Sequence, residues 1–471
     1  MTEQEAIEFC KNNPEAAAKI ILMVEKLEAR IKELEEKLGM NSSNSSKPPS
    51  SDNKLTKKKA VQKSSEKKRG GQEGHEGKHL KKVEIPDKIV HLKSKICRDC
   101  CQDISLIESE QIIKRQVFDI PPINIEVTEY QMHKICCPHC EKVNEASFPS
   151  NVKAVTQYGD KLKALVSYLN THHMLPYERI TELIEDMMNH KISTGSIYNF
   201  LSQNYDNLEG FEEELKKRLL QEEVLHADET GVNVQGSLKW IHTATSEVAV
   251  HYGIHKKRGQ EAIDDIGILS KYQGILVHDH WIPYNKYTDI THSYCNAHIL
   301  RELQSEIDKN DTKWAKDLQT VLKEANKTVK NEKEEEKTSL PQEIRDKIIK
   351  KYEKITNDAL KSYPPPKKLK KQGRPKQEKG KNLLDRLIRY QEETLRFIDD
   401  FRVPFTNNLA ERDLRMIKVK QKISGTFASF LGAEFFCRIK SFIATLKKNS
   451  LSVLEGLQNA FAFQPMRSLG W

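Results

Sequence analysis

Nowhere in its 471 residues does the sequence run apolar for the roughly 18 positions a membrane-crossing helix needs. The N-terminus also lacks the charged-then-apolar pattern of a secretion signal, so the sequence predicts a cytosolic protein with no membrane partner. In that compartment nine cysteines are metal ligands or buried thiols rather than disulfides. Acidic surplus is missing too: the net charge is +9, and it is concentrated. Residues 47–93 hold 14 Lys/Arg against 6 Asp/Glu, and residues 361–381 hold 9 against 1. Two basic stretches in a chain that is otherwise neutral to acidic point to a polyanion, nucleic acid first. Each stretch by itself also reads as a solvated tail.

The length suggests several domains. Residues 1–39 carry a seam of Ala17, Ile20, Val24, Leu27, Ile31, Leu34 and Leu38 at alternating spacings of three and four. That is a coiled-coil heptad, and β-branched Val24 and Ile31 at a with Leu27 and Leu34 at d favour a parallel dimer. Arg30 and Glu35 are placed to pair across it; packing on the chain's own core is the alternative. Residues 40–92, rich in Asn, Ser, Lys and Gly, have little to bury and read as a flexible basic linker.

Residues 93–150 contain Cys97-Arg-Asp-Cys100 and Cys137-Pro-His-Cys140, two knuckles able to place four thiolates around one structural Zn²⁺. The stretch 117–127 reads as strands between them. Cys101 and Cys136 adjoin the knuckles and leave the ligand register open. Residues 151–215 turn helical, and helix, short turn, helix around 176–201 is compatible with a helix-turn-helix DNA-binding region. From 216 to 304 the pattern is strands at Val224–His226, Lys239–Thr245, Val248–Ile254 and Ile275–Asp279, with a helix near Gln260–Leu269 before the last. Hairpin-ordered strands followed by a βαβ crossing fit an RNase-H-like α/β core. Residues 305–382 read as a Lys/Glu-rich helical and basic insertion with few large apolar residues. Within it Gly373-Arg-Pro-Lys is a candidate minor-groove hook or an ordinary linker. Helix returns over Leu383–Phe401, Ala410–Ile423 and Ala433–Lys447, which makes 383–445 the second part of the core and 446–471 a C-terminal segment.

The chemistry lies in three acids. Asp228 and Asp279 end apolar strands, where an α/β sheet leaves an open crevice. Glu411 lies on a helix far downstream. Hard divalent ions take oxygen ligands, and two such ions clamp the attacking and leaving oxygens of a phosphodiester. Each acid has a plainer reading: a turn cap for the aspartates, and for Glu411 a capping box closed with Asn408. Glu411, Arg415, Lys418 and Lys422 recur on one helical face, with Arg412 beside them, as a metal ligand next to a phosphate track would. Cys295-Asn-Ala-His298 lacks a second pair for zinc; His298 is either a polar group near the scissile phosphate or a packed histidine.

These residues resemble a known family. Ala227-Asp228-Glu-Thr-Gly, His278-Asp279-His-Trp-Ile-Pro-Tyr, Cys295-Asn-Ala-His298-Ile-Leu-Arg-Glu-Leu and Phe405-Thr-Asn-Asn-Leu-Ala-Glu411-Arg look like signatures of the large transposase of the insertion sequence 66 family, as do Leu175-Pro-Tyr-Glu-Arg and Lys422-Ile-Ser-Gly. The resemblance covers nearly the whole chain. It implies a DDE transposase in which Asp228, Asp279 and Glu411 hold two Mg²⁺; His298 stays a candidate catalytic group from its own position. The expected partners are double-stranded DNA of the element ends and target, a second subunit or more, and accessory proteins of the same element, at the nucleoid. Thr406 departs from the family, which often has Asp there, and so do the doubled cysteines. A structure-specific nuclease and a non-catalytic DNA-binding protein are the competing readings.

Overall fold

A computed structural model describes residues 3–40, 80–108, 111–363 and 377–471. Most of the basic linker (41–79) and the core of the second basic stretch (364–376, with Gly373-Arg-Pro-Lys) lie outside the described residues. The chain divides into two units, one of residues 58–127 and one of 1–57 with 128–471.

In the smaller unit, Gln116 exchanges two hydrogen bonds with the backbone of Val83, accepting at 2.8 Å and donating at 2.7 Å. The strands expected over 117–127 do not form. Val117 and Ile120 are exposed, and Pro121-Pro122 removes two successive donors, so neither burial nor a ladder holds an extended pair there.

The larger unit begins with α1 (Glu3–Asn12) and α2 (Pro14–Gly39). Pro14 opens α2 at a position where its missing N–H costs nothing. The apolar seam is uncovered: Val24, Leu27, Ile31 and Leu34 are each roughly half exposed. A hairpin of β1 (Lys134–Cys136) and β2 (Val143–Glu145) follows, then four helices, α3 (Asp160–Thr171), α4 (Tyr177–Met188), α5 (Thr194–Asn207) and α6 (Glu209–Gln221). Ser193 caps α5 by accepting from the Ser196 amide at 3.0 Å.

The sheet comprises β3 (Val224–Val234), β4 (Ser237–Thr245), β5 (Val250–His255), β6 (Ile275–His278) and β7 (Thr291–Tyr294), with α7 (Gln260–Ile266) between β5 and β6. Its order is β5-β4-β3-β6-β7; the β3/β4/β5 meander is antiparallel, while β3, β6 and β7 are parallel. β3 runs eight residues past the expected His226 end. Gln235 and Gly236 both take positive φ, the geometry of a tight hairpin turn, and so carry the chain straight into β4. β7 was not anticipated; Thr291-His-Ser-Tyr is short and partly polar.

After the sheet come α8 (Asn296–Asn310), α9 (Lys313–Glu334), α10 (Gln342–Lys361), α11 (Lys379–Arg389), α12 (Gln391–Asp399), α13 (Asn408–Ser424), α14 (Phe430–Lys448) and α15 (Val453–Phe461). The insertion is richer in core than its composition suggested. Trp314, Leu318, Leu322 and Tyr352 are buried with Leu384, Leu387 and Phe397 against Val277 and Tyr294. Each such side chain contributes about 1.5–3 kcal/mol on burial. One sheet face, through Leu225, Ala227 and Leu276, packs on α3–α6, α14 and α15. Farther along, Val232 and Val234 pack under Leu414 and Ile417 of α13. Among the described residues no helix is long and apolar enough to cross a membrane.

Candidate active site

Side chains alternate along a strand, so Asp228 shares a face of β3 with Val232 and Val234, the face that α13 covers. β3 and β6 run parallel in the register Val224↔Ile275 and His226↔Val277. Two residues further on, the same register sets Asp228 beside Asp279 at the point where β6 ends. Asp228 Oδ1 accepts from the Glu229 amide at 2.9 Å, and Asp279 Oδ1 from the Trp281 amide at 3.0 Å, so each keeps its second oxygen clear of that turn.

The third acid is delivered by Asn407. Its side chain does not cap α13. Instead Nδ2 donates to the Ala227 carbonyl at 2.8 Å, and Oδ1, which can only accept, accepts a hydrogen bond from His226 Nδ1–H at 2.8 Å. The Asn407 amide donates to Cys295 Sγ at 3.1 Å, and the Cys295 amide donates to the His278 carbonyl at 2.9 Å. One buried asparagine thus ties the start of α13 to the residues before Asp228 and, through Cys295, to the residue before Asp279. The expected capping box of Asn408 and Glu411 is absent: α13 starts at Asn408, and Glu411 lies one turn in, free for another role.

Electrostatics marks the three acids as one cluster. Asp228 has its pKa pushed well above the carboxylate range by burial and by the charges of Glu229, Asp279 and Glu411. Burial raises Asp279, against the Trp281 amide and the Arg258 and Arg386 charges. Burial also raises Glu411, against Arg301 and Arg415. Glu411 Oε1 is buried without a hydrogen bond; His298 Nδ1 lies 3.6 Å and Arg301 Nη2 3.8 Å from it. Mutually repelling buried carboxylates with an orphaned oxygen fit hard divalent cations such as Mg²⁺. The three oxygens are not gathered within 4.8 Å as they stand; the groups that tight among the described residues are Cys295–His298–Glu411 and the exposed His255–Glu261–Asp265.

On α8, His298 thus lies beside Glu411. Burial lowers its pKa to about 4, which leaves it neutral at pH 7. Cys295 is less suited to ligation: burial raises its thiol to about 11, and its sulfur already accepts the Asn407 amide. On α13, Arg412, Arg415, Lys418 and Lys422 are exposed, and Lys418 Nζ donates to the Gly231 carbonyl at 2.7 Å.

A fourth carboxylate escaped the sequence reading. Glu229 points to the opposite face of β3, where Arg258 Nε and Nη2 grip Oε1 at 2.9 and 2.6 Å and the Tyr284 hydroxyl donates to Oε2 at 2.5 Å. The Arg258 guanidinium lies over the rings of Trp281 and Trp240, at 4.4 and 4.8 Å. Since Trp281 supplies the amide to Asp279, this group also steadies the turn that carries Asp279. The one signal in sequence was its adjacency to Asp228.

The two cysteine knuckles fall in different units. In the smaller unit Cys97 N–H donates to the Gln102 carbonyl at 2.9 Å, Cys101 N–H donates to the Cys97 carbonyl at 3.1 Å, and Cys101 has φ +58°. In the larger unit Cys137 N–H donates to Lys142, Glu141 N–H to Cys137, both at 2.9 Å, and Glu141 has φ +56°. The same fold of the backbone aligns Cys97 with Cys137 and Cys100 with Cys140. Cys101 takes the place of Glu141, and Cys136 that of Ile96. Backbone amides, chiefly those of Cys100 and His139 respectively, lower the pKa of the Cys97 and Cys137 thiols.

Comparison with known proteins gives two family matches. Residues 155–435, which include all three acids, match the model described as Transposase IS66 family. Residues 7–81 match a model described as Family of unknown function (DUF6444). No curated protein matches the chain.

Proposed function

The chain belongs to the IS66 transposase family, whose members act on DNA, and on that premise we propose that it cuts and joins DNA at the terminal inverted repeats of its own mobile element. The core is read as RNase-H-like, a reading supported by a sheet in which an antiparallel meander is continued by two parallel strands on the other side of β3. Asp228, Asp279 and Glu411 are the metal-holding acids. The observation that carries this is the shared register of Asp228 and Asp279, with α13 locked over them so that Glu411 presents an orphaned oxygen.

Two bound Mg²⁺ would make water or a 3′-hydroxyl more acidic and stabilise charge on the phosphorus. The chain's own groups do the rest. Water oxygen attacks phosphorus as the bond to the 3′-oxygen breaks, leaving a 3′-hydroxyl at the element end and a 5′-phosphate on the flank. That hydroxyl then attacks a target phosphodiester, losing its proton as the target's 3′-oxygen leaves. Neutral His298 can hydrogen-bond a phosphate or water without competing for Glu411's charge.

The remaining assignments come from the sequence and are supported locally. Cys97, Cys100, Cys137 and Cys140 are read as Zn²⁺ ligands because each knuckle has the same amide-lined turn. The exposed bases Arg412, Arg415, Lys418 and Lys422 would track the DNA backbone. The α2 seam would pair two chains, as two element ends require, and accessory proteins of the element would act alongside. Incubation of the full chain with duplexes bearing the inverted repeats that flank its gene, target plasmid and Mg²⁺ tests the reading. Cleaved and joined products are expected. Cleavage without joining would favour a nuclease, and Mg²⁺-indifferent binding without cleavage would favour a DNA-binding protein.

A further inference from the structure

Of the arginines beside the acid cluster, Arg258 and Arg301 differ most in their commitments. Arg258 is spent: two short hydrogen bonds to Glu229 and two indole rings hold it. Arg301 is not. Its nearest acid oxygen, Glu411 Oε1, is 3.8 Å away, beyond hydrogen-bond length, and its Nε is buried with no partner. It stands one helical turn after His298 on α8, so both face the same carboxylate.

We propose that Arg301 is a phosphate-contacting catalytic residue, whose guanidinium takes a non-bridging oxygen of the scissile phosphodiester while Glu411 serves the metal. This rests on the functional reading above and adds to it the group that neutralises the phosphate. An arginine offers several N–H donors in a planar fork matched to phosphate. A carboxylate that turns to a divalent ion releases the charge that now faces Arg301. The loose 3.8 Å contact makes that exchange inexpensive, whereas an arginine held as Arg258 is would lose two hydrogen bonds. Arg386 of α11 lies on the other flank: it pairs with Glu302, the residue after Arg301, and has its own Nε buried without a partner. That pair steadies the segment of α8 from which Arg301 reaches.

The test uses the full-length protein with an element-end duplex. Single-turnover cleavage in saturating Mg²⁺ is compared for wild type, Arg301→Ala, Arg301→Gln and Arg301→Lys, with Asp228→Asn as the metal-site control. End binding is measured by fluorescence anisotropy in Ca²⁺. Arg301→Ala and Arg301→Gln should each lose about 10²–10³-fold in rate, the scale of removing one transition-state donor, while binding changes by a few-fold at most. Arg301→Lys should recover part of the loss by charge without the fork. Sulfur at the non-bridging position that Arg301 contacts should slow wild type, and that slowing should shrink in Arg301→Ala, while any sulfur effect at a metal-held oxygen persists in both. A folded Arg301→Ala or Arg301→Gln that cleaves within a few-fold of wild type, or whose loss disappears at higher Mg²⁺, overturns the proposal and leaves the metal site standing. A wild type without Mg²⁺-dependent cleavage overturns both.

Discussion

Asn407 Nδ2 donates to the carbonyl of Ala227 at 2.8 Å, immediately before Asp228 in the chain. The contact joins residues 180 apart in sequence and sets the distance between a strand acid and a helix acid. Asn407→Ala leaves that carbonyl and the His226 N–H unpaired inside the protein. The expected cost is about 1–3 kcal/mol in chemical denaturation, with a larger relative loss of cleavage than of end binding. Asn407→Asp retains the acceptor for His226 but sets a buried carboxylate against the Ala227 carbonyl, so it should be no more stable than Asn407→Ala. A stable Asn407→Ala with full cleavage would show that α13 is held by other contacts.

The Glu229–Arg258 pair makes a second prediction. Glu229 is almost wholly buried and Arg258 is 41% exposed, so the screened end of the pair is the arginine. Arg258→Ala strands a buried carboxylate, and the cost should lie at or below about 3 kcal/mol, the lower end for breaking a buried pair, because Arg258 is partly solvated. Burial already raises the pKa of Glu229, against its hydrogen bonds from Tyr284 and Arg258. An acid whose folded pKa exceeds its unfolded value loses stability as pH rises through that interval. The deficit of Arg258→Ala should therefore be larger at about pH 8 than at about pH 5, and Glu229→Gln in the same protein should remove that dependence. Denaturant titrations at the two pH values measure it.

Zinc content separates the cysteines. The full-length protein should carry about one Zn²⁺ per chain, lost on Cys97→Ser, Cys100→Ser, Cys137→Ser or Cys140→Ser. Cys101→Ser and Cys136→Ser should retain it, because these residues occupy the positions of Glu141 and Ile96 in the repeated knuckle. Metal analysis of the six variants is the check; zinc that survives loss of Cys137 and Cys140 together would exclude the assignment.

The exposed seam of α2 predicts self-association. Leu27→Ala, Ile31→Ala and Leu34→Ala in one protein each remove a large apolar side chain, at about 2–5 kcal/mol per buried position in a formed coil. Light scattering should show a dimer or larger for wild type and dissociation for the triple variant, while binding to a single DNA end persists. Unchanged mass would place the subunit contact elsewhere.

Much of this was legible in the sequence because the signals are local. Apolar runs leading into an aspartate located Asp228 and Asp279, and the face of Glu411, Arg415 and Lys418 marked α13. What was hidden depends on contacts far apart in the chain. Nothing near Asn407 signals that its side chain spans to Ala227 rather than capping its own helix. Leu383–Phe401 read as one helix, yet Tyr390 breaks it into α11 and α12, which pack into one core. The charge-rich insertion hid its core because Trp314, Leu318, Leu322 and Tyr352 are spaced widely among lysines and glutamates. Pro121-Pro122 argued against the strands read over 117–127, and composition outweighed it.

The central claim is that Asp228, Asp279 and Glu411 form one metal site that cuts DNA. Its most direct test is Mg²⁺-dependent cleavage of an element-end duplex by Asp228→Asn, Asp279→Asn and Glu411→Gln, each with end binding measured in parallel. The account predicts that every one of the three lowers cleavage by at least about 10²-fold with end binding within a few-fold of wild type, since each removes a charge that holds the metals rather than a group that holds the duplex. Cleavage at the wild-type rate by any one of them would remove that residue from the site and contradict the account.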